Sequence, residues 1–442
     1  MTVCIPAYRS EAFIHNTLRS VLSQTYSDFA VEIAVEPPAE NIVSACGPLL
    51  RDDRVRLTVN PRVLGWGENI KRLLQRVATP YFLICFHDDL LLPDYIATLL
   101  DELVRRPQAS VAYSDIFCFG SASFRWELPL TEEPLFDRLT SFFLGGAEAV
   151  PVRGVTRSLV RDRCDFPTDQ YGGFATECEW VLNLLISGAA TRVPRPLYLK
   201  RTFGPNEISA SNKRLIGYSR EQLFEALEHH RARMLALVRR TDVPKMMRET
   251  VELAVEAAIL RRHMTFNMGM FHPVQLTRAD QIMKTAAGIP DAYGKAIQAM
   301  TLLAMSRHEL NGGNAKKALD LAMASVDADL HQWEGLAYLS RLQLDLGRGV
   351  QAFDTALRAW NIAPDSRGLR ELLADCETNI EQRDFLEMMR SGKTKVLAER
   401  FDAASYLIYH PDVAAAGVDP WQHYLEFGWR EGRKIRLLPA KK

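Results

Sequence analysis

Three groups of acids stand where ordinary surface charge explains them poorly. Asp88 and Asp89 follow directly on the apolar run YFLICF, with His87 just before them. Adjacent carboxylates at the end of a buried strand are costly unless they face a ligand or solvent. Asp89 has a plain alternative, as N-cap of the helix that begins near Pro93. Glu36 closes a second β-rich run, FAVEIAVE, just before Pro37 and Pro38, where a solvated strand-end acid is the simple reading. Glu177 and Glu179 open TECEWVLNLLISG. The first turn of a helix there favours ionised carboxylates through the helix dipole, and capping charge is the alternative.

The elements that must position these acids are legible from periodicity. TVCIPAY, FAVEIAVE, VRLTVN, YFLICF and SVAYSDIFCF read as strands. Between them lie amphipathic helices, such as residues 10–23 with Phe13, Ile14, Leu18, Val21 and Leu22 on one face and Ser10 as N-cap. Strand–helix alternation of this kind predicts an α/β unit with a mainly parallel sheet, whose ligands sit at the carboxyl ends of the strands. PVRGVTRSLV reads as a strand pair or turn, ECEWVLNLLISG as a helix with Gly188 at its C-cap, and PRPLYLKR as a closing strand. From about residue 216 the chain turns heavily helical.

Composition narrows the function classes. The chain has 442 residues, 47% of them hydrophobic and 24% charged, enough apolar material for sizeable cores. Lys+Arg 54 balance Asp+Glu 54, so no global basic field draws the protein to nucleic acid. The 7 cysteines are scattered and never form CxxC, which fits neither a disulfide framework nor a zinc ribbon. No signal peptide and no transmembrane segment are read, so a cytoplasmic placement is expected, with any association at the inner membrane peripheral.

Several ordered motifs carry a resemblance. IPAYRSEAFIHNTLRSVLSQTYSDFAVEIAVE, LGWGENIKRLL, CFHDDLLLPDYI and TECEWVLNLLISG together resemble a family 2 glycosyltransferase of the GT-A type, over about residues 2–210. The resemblance implies a nucleotide-diphospho-sugar transferase domain, and it implies roles for particular residues. Pro6, Ala7 and Tyr8 would lie beside the nucleotide base, with Tyr8 able to stack. Glu36 would take the place of the family's acidic pair at the base and ribose, and Asn69 matches the asparagine of the GxxxxxN helix. Asp88 stands at the last position of the family's DxD motif, where the ligand of Mn²⁺ or Mg²⁺ is expected, with His87 and Asp89 adding contacts to metal, phosphate or sugar. Phe86 occupies the position of the motif's missing first aspartate. Glu177 is the expected general base that deprotonates the acceptor, and Glu179 would replace it if the register slips. Arg201 and Lys200 of LYLKRTFGPNEIS would meet the diphosphate, and Phe203 stands where the family usually has histidine. Trp180 could floor an acceptor sugar, although an aromatic at helical spacing is more often core.

The C-terminal half reads as an all-α repeat region. Gly313 and Gly347, Ala318 and Ala352, and Ala322 and Ala356 are each 34 residues apart. This resembles a tetratricopeptide repeat, which would recruit a protein partner or acceptor. Residues 401–433 resemble a short helical module repeated in many bacterial surface-polysaccharide and secreted proteins. The expected organisation is a GT-A domain over 1–215, a helical linker region over 216–300, tetratricopeptide-like repeats over 301–390 and a small helical module over 395–437. The implied function is an inverting, metal-dependent glycosyltransferase that moves a sugar from a nucleotide-diphospho-sugar donor to a glycan or protein acceptor in bacterial surface glycan or glycoprotein synthesis. The rival reading is a catalytically silent scaffold in polysaccharide assembly.

Overall fold

The computed structural model describes residues 1–128, 134–171, 173–204, 218–265, 269–330, 332–364, 366, 368–379, 398, 401–429, 431 and 433. The chain divides into two compact units, Met1–Gly312 and Gly313–Lys442.

The first unit is built on one twisted sheet. Its strands are β1 (Thr2–Ala7), β2 (Ala30–Val35), β3 (Val55–Val59), β4 (Tyr81–Ile84), β5 (Leu90–Leu91), β6 (Ala109–Gly120), β7 (Phe124–Trp126), β8 (Val155–Arg157) and β9 (Ala189–Thr202). Their order is β3-β2-β1-β4-β8-β6-β9-β5, with β7 on β6. The first four are mutually parallel, β6 and β9 are parallel, and β8 and β5 are the antiparallel insertions. Val3, Ile5, Val31, Ile33, Phe82 and Leu83 are fully buried, as expected for strands covered on both faces.

The helices follow the apolar spacing but not always the expected caps. α1 (Ile14–Leu22) begins after Phe13, and the carbonyl of Ser10, not its hydroxyl, receives the amides of Phe13 and Ile14. α2 (Glu40–Cys46), α3 (Trp66–Gln75), α4 (Tyr95–Arg105), α5 (Leu135–Leu144), α6 (Ser158–Arg163) and α7 (Thr176–Ser187) complete the α/β part. α4 is capped at Asp94, so Asp89 is not its N-cap. Gly188 ends α7 in an extended conformation, not the left-handed one expected of a C-cap. Its requirement is space, since a Cβ there would lie 2.7 Å from the Gln108 carbonyl oxygen.

The segment expected to be a linker is instead part of this unit's core. α8 (Arg220–Arg239), α9 (Lys245–Thr265), α10 (Pro273–Ala286) and α11 (Ala292–Asn311) bury Leu227, Leu235, Val255, Leu260, Ile282 and Ile297 in the same cluster as the sheet residues. Trp180 is also core: it is fully buried against Phe166 and Phe82, with ring centroids 5.3 Å and 6.3 Å away, and floors no sugar site.

In the second unit, α12 (Ala315–Ala328), α13 (Trp333–Asp345), α14 (Gly349–Ile362) and α15 (Leu369–Asn379) form a helical array. α12 and α14 start and end 34 residues apart, and Gly313 and Gly347 both take left-handed backbone two residues before them. Ser340 Oγ donates to the Ala352 carbonyl at 2.6 Å, which ties α13 to α14. Further on, Phe401, Tyr406, Val413 and Tyr424 form a small aromatic core with Trp421 and Trp429 against it. Residues 380–397 and 434–437 of the expected repeat and module boundaries lie outside the described residues.

Candidate active site

The parallel register sets the site. Ala7 pairs with Val35 and Cys4 with Ile84, so the carboxyl ends of β1, β2 and β4 share one edge of the sheet. Tyr8, Glu36 and the His87–Asp88–Asp89 turn all leave from that edge, where open α/β sheets place their ligands.

His87 is held from two sides. Thr17 of α1 donates its hydroxyl to the His87 carbonyl at 2.8 Å, and His87 Nδ1 lies 2.9 Å from the carbonyl oxygen of Pro6. A carbonyl only accepts, so Nδ1 carries the proton and Nε2 of the neutral ring is left as an acceptor. Asp88 is half-buried, and its carboxylate takes no hydrogen bond from any described residue. Tyr8 is also half-buried, with the Arg9 guanidinium 5.2 Å from its ring centroid.

Asp89 behaves differently from its neighbour. It is 2% exposed and engaged on both oxygens: Tyr198 Oη donates at 2.9 Å, the Arg201 amide at 2.9 Å, and Arg153 Nε lies 3.4 Å away. Burial and the Asp88 charge push its pKa up, against Arg153, Lys200 and the Arg201 amide. Asp89 therefore positions the turn and does not offer a free contact to phosphate or sugar.

Glu36 and Asn69 need the same correction. Glu36 is 1% exposed and its Oε1 accepts the amides of Leu64 at 3.0 Å and Gly65 at 2.7 Å, which fixes the entry to α3. Asn69, also 1% exposed, donates to the Ala34 carbonyl at 3.0 Å and accepts from Asn60 at 2.8 Å. Both shape the edge of the sheet from within it, because their polar atoms satisfy backbone and side-chain groups that burial would otherwise strand.

The two acids of α7 separate as a two-residue step on a helix requires, onto opposite faces. Glu177 is half-buried, and among the described residues only its own backbone amide offers its side chain a hydrogen bond. Burial raises its pKa above the ordinary glutamate value, against its own backbone amide, Arg262 and Arg153. The helix dipole favours the anion at this position, but desolvation outweighs it. Glu179 is 2% exposed and paired with Arg233 at 2.8 Å and His230 Nδ1 at 3.3 Å, both on α8. Burial pushes its pKa up to about 8. It ties α7 to α8.

Cations ring the edge. Arg201 lies between the rings of Phe13, 4.8 Å away, and Phe119, 4.6 Å away, and its Nε reaches the Asp88 carbonyl at 3.4 Å. Phe203 packs edge-on against Phe13 at 5.7 Å, so the position of the expected histidine supports the stack that holds Arg201. The remainder of GPNEIS, from Pro205, lies outside the described residues. One cation carried no motif signal. Arg153, at the end of a 3-10 turn (Val150–Arg153), lies 4.6 Å from the Phe86 ring and 3.4 Å from Asp89 Oδ2.

Among the described residues no cluster of three or more His, Cys, Asp or Glu could hold a metal ion. The open Asp88 carboxylate and His87 Nε2 nevertheless fit a hard divalent cation of the kind that takes one or two protein ligands and completes its shell with substrate phosphate oxygens. No described helix is long and apolar enough to cross a membrane.

This architecture, a mainly parallel sheet with a ligand edge at its carboxyl ends, is GT-A-like. Residues 2–156 match the sequence model of glycosyl transferase family 2. Among solved structures, the chain is similar to S. aureus TarS 1-349 in complex with UDP-GlcNAc, with 13% identity over 74% of this chain and 90% of that one, at a TM-score of 0.50. It is also similar to the mannosyltransferase PcManGT from Pyrobaculum calidifontis in complex with GDP-Man and Mn²⁺, with 14% identity over 74% and 86% of the two chains and a TM-score of 0.41. At such identities the TarS likeness speaks for the fold.

Proposed function

We propose that the protein is an inverting glycosyltransferase that moves a sugar from a nucleotide-diphospho-sugar to a hydroxyl of a bacterial surface glycan or glycoprotein. The observation that carries this reading is the cluster at the carboxyl end of β4, where Arg201 reaches the Asp88 carbonyl at 3.4 Å and Arg153 reaches Asp89 at 3.4 Å, so an open carboxylate and two cations share the ligand edge of the sheet. TarS, the structural neighbour, was crystallised with UDP-GlcNAc, which supports a nucleotide-sugar donor.

In this mechanism the acceptor oxygen attacks the anomeric carbon from the face opposite the leaving group. The new C–O bond forms as the bond to the nucleoside diphosphate breaks, and the anomeric configuration inverts. The hydroxyl proton passes to the Glu177 carboxylate, which burial has made more basic than an exposed glutamate. Asp88 and His87 Nε2 are the groups that would hold Mn²⁺ or Mg²⁺, which when bound offsets negative charge on the departing diphosphate. Arg201 adds a fixed positive charge beside Asp88. Tyr8, on the same edge, would stack on a base. The helical array of the second unit would recruit the acceptor or a protein partner.

A turnover screen with UDP-, GDP- and dTDP-sugars, read as release of the nucleoside diphosphate, tests the reading. The expected result is turnover with one nucleotide class, stimulated by Mn²⁺ or Mg²⁺. Neither turnover nor calorimetric binding of any nucleotide would leave the silent scaffold as the better account.

A further inference from the structure

Phe86 stands where the family's motif has its first acid, and what lies on it is a cation. The Arg153 guanidinium carbon is 4.6 Å from the Phe86 ring centroid and 5.7 Å from that of Tyr198. The side chain is only 12% exposed, and its one ion pair, Nε to Asp89 Oδ2, is long at 3.4 Å. Its two terminal nitrogens meet no acceptor among the described residues. These nitrogens are not among the fully buried polar atoms that lack a partner, so water meets them in the free protein, and an acceptor-rich ligand is its natural replacement. The planar fork of arginine suits phosphate oxygens in particular, and an aromatic face below it fixes its plane without using its donors.

We propose that Arg153, seated on Phe86, binds the diphosphate of the donor, as a protein cation that this chain places over the residue replacing the motif's first acid. The exchange reverses the local charge. An aspartate at 86 would attract a cation from solution, whereas Phe86 carries a cation of the protein's own. Asp89 cannot use the whole of this charge, because Tyr198 and the Arg201 amide already share its oxygens. The diphosphate therefore keeps a counter-charge when divalent metal is absent. This inference rests on the glycosyltransferase reading above and deepens it.

Calorimetric titration of the full chain in EDTA tests it, with UDP, GDP and dTDP each set against its own nucleoside. The wild type is expected to prefer one diphosphate over its nucleoside without metal. Arg153→Gln should weaken that diphosphate at least tenfold and leave the nucleoside affinity unchanged. The double variant Arg153→Gln with Asp89→Asn removes both charges, so it folds even if the single variant is left with an unpaired buried acid. If Arg153 binds the diphosphate, the double variant stays weak. If Arg153 is only the counterion of Asp89, the double variant recovers wild-type affinity, and that recovery overturns the proposal. Unchanged diphosphate affinity in Arg153→Gln overturns it equally. A wild type that binds no diphosphate at all, even with Mn²⁺, sinks the glycosyltransferase reading first and this inference with it.

Discussion

Glu177→Gln is expected to lower kcat by about two to four orders of magnitude, the range that a positioned general base contributes. Donor binding should be unchanged, because among the described residues the Glu177 carboxylate accepts only from its own backbone amide, which the Gln side-chain oxygen can still do. The amide keeps the shape of the acid but cannot take the acceptor proton, so the loss should appear in kcat for transfer. Glu179→Gln should retain most of the activity. That carboxyl, with a pKa pushed up to about 8 by burial, is committed to Arg233 and His230. The pH profile adds a sign. A base must be ionised, and burial raises the Glu177 pKa. The rate should therefore fall as pH drops through a value above the ordinary glutamate range of about 4.3. Steady-state kinetics of the two variants decide the point: a large loss only in Glu179→Gln would reverse the assignment.

The second large effect concerns stability. Asp89→Ala removes the acceptor for Tyr198 Oη and the Arg201 amide and leaves Arg153 without its ion pair. Removing one partner of a buried charge pair typically costs about 3–5 kcal/mol. Loss of that size should appear as a lower midpoint in denaturant with little change in slope. Asp89→Asn, which keeps one acceptor oxygen and relieves the charge, should lose less. A loss below about 1 kcal/mol in Asp89→Ala would place it among surface ion pairs and remove its positioning role.

The sheet and its edge were legible in the sequence because both rest on local pattern. Apolar runs at strand period, helical spacing between them and the order of the motifs lead to β1, β2 and β4 and to the ligand edge at their ends. Asp88 and Arg201 could be singled out because each sits at or near the end of a strand on that edge, and Glu177 because it opens a helix. The partners of the other acids could not be read. Glu36, Asn69, Asp89 and Glu179 have the right chemistry for ligand contacts, and residue type says only what a group can accept. What each does accept comes from residues distant in the chain: the Leu64–Gly65 amides for Glu36, residues 153, 198 and 201 for Asp89, and residues 230 and 233 for Glu179. The last pair lies on a helix within the expected linker region, so its packing on α7 had no local signature. Arg153 was invisible for the same reason. In the sequence it is one arginine in a turn, and only the fold lays it over Phe86.

The helices after the sheet carry a related lesson. Their amphipathic pattern announces helices but not which apolar surface they cover. Leu227, Val255 and Ile297 bury in the core of the sheet unit, which sets its boundary at Gly312 and not near 215.

The most direct measurement is a crystal structure of the full chain grown with Mn²⁺ and the nucleoside diphosphate that the turnover screen selects. The account predicts diphosphate density at the carboxyl ends of β1 and β4, in contact with Arg153 or Arg201 and beside Asp88, with the Glu177 carboxylate facing the space where the sugar would leave. A nucleotide bound anywhere else on the chain, or Glu177 turned away from an occupied edge, would contradict it.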